Sequence, residues 1–154
     1  VVTNPNPNLP VDTAVKKLPI VQPKVISGYR FDPAMKHYVM IVLDKVDAMF
    51  VNEVRNAYNK YHKEKYYNQT FQVTIRDFDA DKKLLLIGDF DTAQDAIDYL
   101  QKTKRITPNE ILPWLKPDKY SFWVMTDPNL ETLLEKKDLA QYRQFLEQVF
   151  PGKL

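Results

Sequence analysis

The hydrophobic residues become regularly spaced only from Tyr38 onwards. Residues 38–43, "YVMIVL", form a short apolar run that is typical of a strand buried on both faces. Between residue 46 and about residue 64 the apolar positions recur every three or four residues, which predicts an amphipathic helix. Met49 and Phe50 belong to this apolar series.

A hairpin and a second helix follow in the pattern. Residues 71–78, "FQVTIRDF", alternate apolar with polar side chains, as a half-buried strand does. The polar turn at 79–81 leads into "KKLLLIG", so the two segments predict a hairpin. The next helix begins with Asp91 or Thr92 as its N-cap. Its apolar positions are Ala93, Ala96, Ile97 and Leu100.

The final third of the chain predicts one more strand and further helix. Residues 120–126, "YSFWVMT", form the strand, and the leucines and aromatics of 130–149 follow helical spacing with a polar break at 136–138. This break predicts one broken helix or two short ones. The order β-α-β-β-α-β-α indicates an α+β fold, a ferredoxin-like antiparallel sheet with helices on one face and an extra C-terminal helix.

The first thirty residues have a different character. Residues 1–30 contain five of the 11 prolines, many asparagines and no helical or strand periodicity. This composition predicts an extended Pro/Asn-rich tether, which leaves residues 31–154 as a single interaction domain. The alternative is that its apolar stretch "KLPIVQP" lies along the folded body. A tether that begins at Val1 also suggests an excised or processed fragment with another domain upstream.

Composition narrows the possible functions. A chain of 154 residues with 44% hydrophobic residues is long enough for one sizeable core. The net charge of +2 does not favour nucleic acid or an anionic membrane as a partner. The absence of cysteine excludes disulfides, thiolate nucleophiles and cysteine-ligated metal centres. No apolar run approaches the length of a membrane-spanning helix.

Two short motifs resemble ligand sites but lack essential residues. The turn "IGDF" has the single glycine Gly88, whereas a phosphate cradle needs several. Asp77, Asp79 and Asp81 have the spacing of a calcium loop, but the glycine and the bidentate glutamate of such a loop are absent. The three aspartates are therefore expected at a solvated hairpin tip, and no metal or cofactor is predicted.

The histidines and tyrosines offer little for catalysis. His37 and His62 are the only histidines, which makes a metal site unexpected. His37 precedes the first strand, and His62 is expected at the surface near the C-terminus of the first helix. The segment "YNKYHKEKYYNQTF" mixes tyrosine with lysine, but the predicted central strands are aliphatic where a single-stranded nucleic-acid binder needs aromatics. Nucleic acid is therefore not expected as a partner. Tyr66 and Tyr67 are the tyrosines of this segment expected to be exposed.

Two resemblances suggest a biological setting. The unit "LLLIGDFDTAQDAIDYLQKTK" resembles the strand-turn-helix of SPOR domains, which are ferredoxin-like and bind peptidoglycan glycan strands. Over about residues 30–154 the chain is similar to the C-terminal region of PorW/SprE-like tetratricopeptide-repeat lipoproteins of the type IX secretion and gliding machinery. The marks are "EILPWL" before "KYSFWVMTD" and the ending "FPGK". The resemblance implies a periplasmic domain, tethered to the outer membrane through an upstream lipoprotein region and without a catalytic motif.

The expected function is a non-enzymatic interaction domain that holds envelope proteins of a secretion or motility complex. The alternative is a SPOR-like module that binds peptidoglycan, and an enzyme of unknown type is a third reading. Trp114 lies in "EILPWLKPDKY" between Pro113 and Pro117, on a stiffened connection where a tryptophan suits an interface. Trp114, with Tyr66 and Tyr67 as neighbours, is the expected partner site. The competing interpretation places Trp114 under the sheet edge as a core residue.

Overall fold

The computed structural model describes residues 24–154, which contain six β-strands, four α-helices and two short helical turns. The strands are β1 (Lys24–Ile26), β2 (Tyr29–Phe31), β3 (His37–Asp44), β4 (Gln72–Asp77), β5 (Lys82–Phe90) and β6 (Tyr120–Met125). The helices are α1 (Ala48–Lys65), α2 (Ala93–Ile106), α3 (Asp127–Lys136) and α4 (Leu139–Val149). A π-helical turn (Thr107–Ile111) and a 3-10 turn (Pro117–Lys119) lie between α2 and β6.

The main sheet has four antiparallel strands in the order β4-β5-β3-β6. Helix α1 connects β3 to β4, and helix α2 connects β5 to β6. Each helix thus links two strands that are separated in the sheet by one other strand, which is the split βαβ arrangement of a ferredoxin-like fold. The predicted α+β class is confirmed.

Hydroxyl and carboxylate caps set the starts of three helices. The Thr92 side chain accepts a hydrogen bond from the Asp95 N–H and caps α2. The Thr126 side chain accepts one from the Asn129 N–H and caps α3. Asp138 caps α4. Lys137 separates α3 from α4 with a φ of 57°, a left-handed conformation that ends a helix. The C-terminal segment is therefore two short helices, one of the two predicted outcomes.

Helices lie on both sides of the sheet. Tyr99 of α2 contacts Phe90 of β5, with ring centroids 5.1 Å apart. Trp123 of β6 points to the opposite face, where its ring stacks on Tyr142 of α4 at 6.1 Å. Met40, which pairs with Trp123 and shares its face, is fully buried. The C-terminal helices and the β1–β2 hairpin therefore cover the central strands on the side away from α1 and α2.

The folded body begins earlier than the sequence predicted. Residues 24–30, assigned to the tether, belong to the antiparallel β1–β2 hairpin, and Tyr29 is fully buried. The Tyr29 ring packs on Tyr142 at 4.8 Å and on Phe145 at 5.5 Å. The Asn129 side chain also accepts from the Arg30 N–H and donates to the Arg30 carbonyl, both at 2.8 Å. Three-residue strands are too short to show periodicity, which explains the error. The remainder of the predicted tether lies outside the described residues.

Candidate functional site

Trp114 lies on the surface beside the exposed ring of Phe50, and the exposed Met49 precedes Phe50 in the chain. The side chain of Trp114 is 47% exposed to solvent, so the interpretation of Trp114 as a core residue is wrong. Its ring lies 5.9 Å from the ring of Phe50, which is 44% exposed, and Met49 precedes Phe50 on α1 with 67% exposed. We call Met49, Phe50 and Trp114 the Trp114 surface. Contiguous exposed apolar area is a feature of interaction sites, and the Phe50–Trp114 pair provides such area.

The connection that carries Trp114 is anchored on both sides of the tryptophan. Leu112 is fully buried, and its carbonyl accepts a hydrogen bond from the Leu115 N–H at 3.2 Å. The Lys119 N–H donates to the Lys116 carbonyl at 2.9 Å. Because Pro113 also restricts its own φ, the backbone around Trp114 has few alternative conformations.

A buried hydrogen bond connects this region to helix α1. The hydroxyls of Tyr58 and Thr107 lie 2.8 Å apart, and the Thr107 hydroxyl donates to the Thr103 carbonyl at 2.7 Å. The Leu112 N–H in turn donates to the Thr107 carbonyl at 2.8 Å. The helix that carries Phe50 and the connection that carries Trp114 are thus held together through the core.

The sequence pattern assigned Met49 and Phe50 to the apolar stripe of α1, but the structure leaves both exposed. The buried residues of α1 include Val51, Val54 and Tyr58. At 100° per residue, Met49 lies about 200° around the helix from Val51 and faces away from the core. Phe50 is in the first turn, where Trp114 is its aromatic neighbour. Phe50 lies four residues before the buried Val54 and so fits the helical period, which means that periodicity alone gave no signal of its exposure.

Tyr66 and Tyr67 are not next to Trp114. Tyr67 is 79% exposed, whereas Tyr66 is partly buried against the core. Both follow the C-terminal end of α1, while Phe50 is at its N-terminal end. Tyr66 follows Phe50 by sixteen positions, which corresponds to about 24 Å along the helix axis. The structure therefore does not support one site containing all three predicted residues.

His62 is buried, and the prediction of a surface histidine is wrong. It is 5% exposed, and its Nε2 shares a hydrogen bond of 2.5 Å with the Tyr99 hydroxyl. The rings of Tyr61, Tyr66 and Phe71 surround it at 5.7, 6.1 and 5.0 Å. The available signal was the spacing of four residues from Tyr58, which places His62 on the buried side of α1.

Burial also controls the charge of both histidines. It lowers the pKa of His62 to about 4, so His62 is neutral at pH 7. His37 is buried as well, and burial lowers its pKa, while a hydrogen bond to the Met35 carbonyl and the charge of Asp32 oppose that change.

Two of the three aspartates at the β4–β5 hairpin, Asp77 and Asp79, have local side-chain partners. Asp79 accepts hydrogen bonds from the backbone N–H groups of Asp81 and Lys82 at 2.9 and 2.8 Å. The Asp77 carboxylate lies 2.6 Å from Lys83 Nζ. The pKa of Asp77 is lowered by this hydrogen bond and by the charge of Lys83, and the Asp81 N–H contributes most to lowering the pKa of Asp79. These contacts are those of an exposed hairpin tip.

The difference between the two tryptophans can be measured directly. Trp123 is 7% exposed, and its indole N–H donates to the Ser121 hydroxyl at 2.7 Å, whereas Trp114 is open to solvent. We expect iodide to quench the fluorescence of Trp114 and to leave that of Trp123 nearly unchanged. Trp114→Phe should therefore abolish most of the quenching, and Trp123→Phe should preserve it. Equal quenching of the two variants would contradict this placement of Trp114.

Three further observations concern possible ligands, membranes and relatives. Residues 24–154 contain no group of three or more histidine, aspartate or glutamate side chains arranged to hold a metal ion. Every helix in that range is too short or too polar to cross a bilayer. Comparison with protein-family models, curated proteins and solved structures gave no match to this chain.

Proposed function

We propose that this chain is a non-catalytic protein-interaction domain whose partner site is the Trp114 surface. The observation that carries the proposal is the exposed Phe50–Trp114 ring pair, with the exposed Met49 preceding Phe50 in the chain. Tryptophan, phenylalanine and methionine are enriched at protein interfaces, and tryptophan is prominent among the residues whose removal costs most affinity.

The anchored backbone supports the same proposal. Binding is weakened by the entropy lost when loops and side chains become ordered. Pro113, the turn that begins at Leu112 and the buried Tyr58–Thr107 contact restrict this loss for Trp114. The aromatic pair can therefore contribute burial of apolar area to binding at a small ordering cost.

We further propose that the partner is a protein of a bacterial cell-envelope secretion or motility complex. The basis is the resemblance to PorW/SprE-like lipoproteins, whose mark "EILPWL" includes Trp114. In this setting the domain works in the periplasm, and a lipoprotein region upstream tethers it to the outer membrane.

The covered sheet face supports a protein partner over a SPOR-like glycan partner. Binding a glycan strand on the sheet requires an open groove of aromatic and polar side chains on the face away from α1 and α2. In the described part of the chain, Met40 and Leu86 on that face are buried and Trp123 stacks on Tyr142 of α4. The exposed aromatic pair lies elsewhere, on α1 and the connection before β6.

The test is quantitative capture from an envelope extract of the cell that makes the protein. We compare the immobilised full chain with its Trp114→Ala and Phe50→Ser variants. Each captured protein is then purified, and its Kd for the unmodified chain and for both variants is measured. We expect one specific protein to bind each variant at least about tenfold more weakly than it binds the unmodified chain, because removing an interface tryptophan typically costs about 2 kcal/mol or more. The free energy of unfolding should fall by about 1 kcal/mol or less, since these side chains are half-exposed.

Tyr67→Ala is the matched control, because it removes an exposed aromatic from the opposite end of α1. It should retain the Kd of the unmodified chain. Equal affinity of the Trp114→Ala variant and the unmodified chain for every captured protein would refute the proposed site, and so would a loss of affinity confined to Tyr67→Ala.

A further inference from the structure

Strand β6 is an edge strand, and a groove follows its free side. Its other side pairs with β3 from Tyr120 to Met125. The groove has a volume of about 490 Å³ and is lined by β6, the end of α2, helix α4 and the C-terminal residues. Its walls include Lys104 and Pro108 on one side and Arg143 and Leu146 on the other.

The hydrogen-bond alternation shows which backbone groups face this groove. The Lys45 N–H donates to the Asp81 carbonyl at 2.7 Å, which continues the β3–β5 ladder. Odd-numbered residues of β3 therefore direct their backbone groups to β5, and even-numbered residues direct theirs to β6. Met40 pairs with Trp123, so Trp123 faces β3 and its neighbour Phe122 directs its N–H and carbonyl away from the sheet.

The outward groups of β6 are satisfied at one end and open in the middle. The Val124 carbonyl accepts a hydrogen bond from the Tyr142 hydroxyl, which confirms that Val124 faces outwards. No hydrogen bond from residues 24–154 reaches the outward N–H or carbonyl of Phe122. An edge strand with open backbone groups is the usual site for adding a further strand from another segment.

The groove walls restrict what can reach this edge. Helix α4 lies along one side, and the Gln101 side chain donates to the Lys153 carbonyl at 2.9 Å, which holds the C-terminal residues against α2. Helix α4 and the C-terminal residues flank β6 in a second copy as well, so edge-to-edge pairing of two copies would bring these walls together. A helix does not present free backbone groups along its side. An extended peptide meets both requirements.

The charged side chains of the groove indicate where the bound peptide carries an acidic residue. Arg143 pairs with Glu147 at 3.7 Å, which neutralises that wall in part. Lys104, in the last turn of α2, has no ion pair with another described residue. A carboxylate on the bound segment would complement Lys104.

We propose that the β6 groove binds an extended apolar peptide with an acidic residue near Lys104, and that this peptide pairs with Phe122 as an added strand. The inference deepens the proposed interaction function, on which it rests, by assigning a second contact for a protein partner. Pro117, which lines the groove, follows Trp114 by three residues, so one partner can contact both regions.

The probes are fluorescein-labelled peptides that alternate valine with threonine, titrated into the full chain and followed by anisotropy. One peptide begins with two aspartates and one with two lysines. Two further versions of the acidic peptide carry N-methyl groups on every valine or on every threonine. Since successive residues of a strand point their N–H groups in opposite directions, one methylated version should bind at least about tenfold more weakly and the other nearly normally.

Lys104→Glu tests the charge, and Lys102→Glu is its matched control on the same helix. Lys102 does not line the groove and lies over the Tyr66 ring at 5.2 Å. We expect Lys104→Glu to weaken the acidic peptide by about fivefold or more and to improve the lysine peptide, as for a close charge pair at an interface. Lys102→Glu should change neither affinity by more than about twofold.

Several results would overturn the inference. One is the absence of saturable binding by any of the peptides. The others are equal weakening by both methylation patterns and equal effects of Lys104→Glu and Lys102→Glu. Binding that occurs only after removal of residues 1–23 would assign the groove to the chain's own N-terminal segment, and a dimer dissociated by the peptide would assign it to a second copy. Trp114→Ala should retain peptide binding, so failure of the groove and failure of the Trp114 surface can be distinguished.

Discussion

Replacing Tyr29 by alanine is expected to lower the free energy of unfolding by about 3–5 kcal/mol, the usual cost of deleting a large buried aromatic side chain. Tyr29 is fully buried in the β1–β2 hairpin and packs against Tyr142 and Phe145 of α4. Its removal leaves a cavity between the hairpin and the C-terminal helices. Urea unfolding of the full chain, followed by circular dichroism, measures the change.

Tyr29→Phe is the control, because it keeps the ring and removes the hydroxyl. That hydroxyl is buried and has no hydrogen-bond partner among the described residues. Its removal is therefore expected to change the free energy of unfolding by less than about 1 kcal/mol, or to increase it. If Tyr29→Ala were as stable as Tyr29→Phe, residues 24–31 would not belong to the folded core.

Acidification from pH 7 to pH 5 is expected to remove about 2 kcal/mol of stability through His62. Burial lowers the pKa of this group to about 4 in the folded state, whereas an unfolded histidine has a pKa of about 6.5. Between these two values the unfolded chain binds more protons than the folded chain. The free energy of unfolding is therefore highest above about pH 6.5 and falls as the pH decreases towards 4.

His62→Gln separates this contribution from that of the other buried histidine. Burial lowers the pKa of His37 too, so His37 acts in the same direction and remains in the variant. The variant should be less stable at pH 7, because the contact with Tyr99 is altered, but its stability should depend less on pH between 7 and 5. An unchanged pH dependence in the variant would contradict the assignment to His62.

The regular parts of the fold were predictable from side-chain periodicity. The apolar run at 38–43, the alternation at 71–78 and the helical spacing after Thr92 all correspond to observed elements of the main sheet and its crossovers. These elements are long enough that the burial of one or both of their faces produces a repeated pattern of apolar residues in the sequence. The order of elements then left few topologies apart from the ferredoxin-like one.

The β1–β2 hairpin and the position of His62 were not predictable in this way. The hairpin strands have three residues each, and the turn between them uses Ser27 and Gly28 at positive φ. Its burial depends on Asn129 and Tyr142, about one hundred residues later in the chain. His62 is buried because aromatic rings from several elements surround it, a tertiary effect that local polarity does not show.

The candidate site was predicted in part. The prolines identified the connection that carries Trp114, but its exposure depends on how that connection packs against α1. Phe50 was assigned to the apolar stripe of α1, and only the structure shows its ring beside Trp114 at the surface. Tyr66 and Tyr67 were expected nearby because sequence reasoning could not place the two ends of α1 relative to Trp114.

The central claim, that the Trp114 surface is the partner site, is tested most directly by photo-crosslinking in the living cell. A photoreactive phenylalanine analogue is introduced at Met49, which is 67% exposed and next to Phe50, and in a second strain at Tyr67, which is 79% exposed at the other end of α1. The account predicts that irradiation joins a specific envelope protein to position 49, that Trp114→Ala abolishes this product, and that position 67 gives no such product. No product from position 49, or the same product only from position 67, would contradict it.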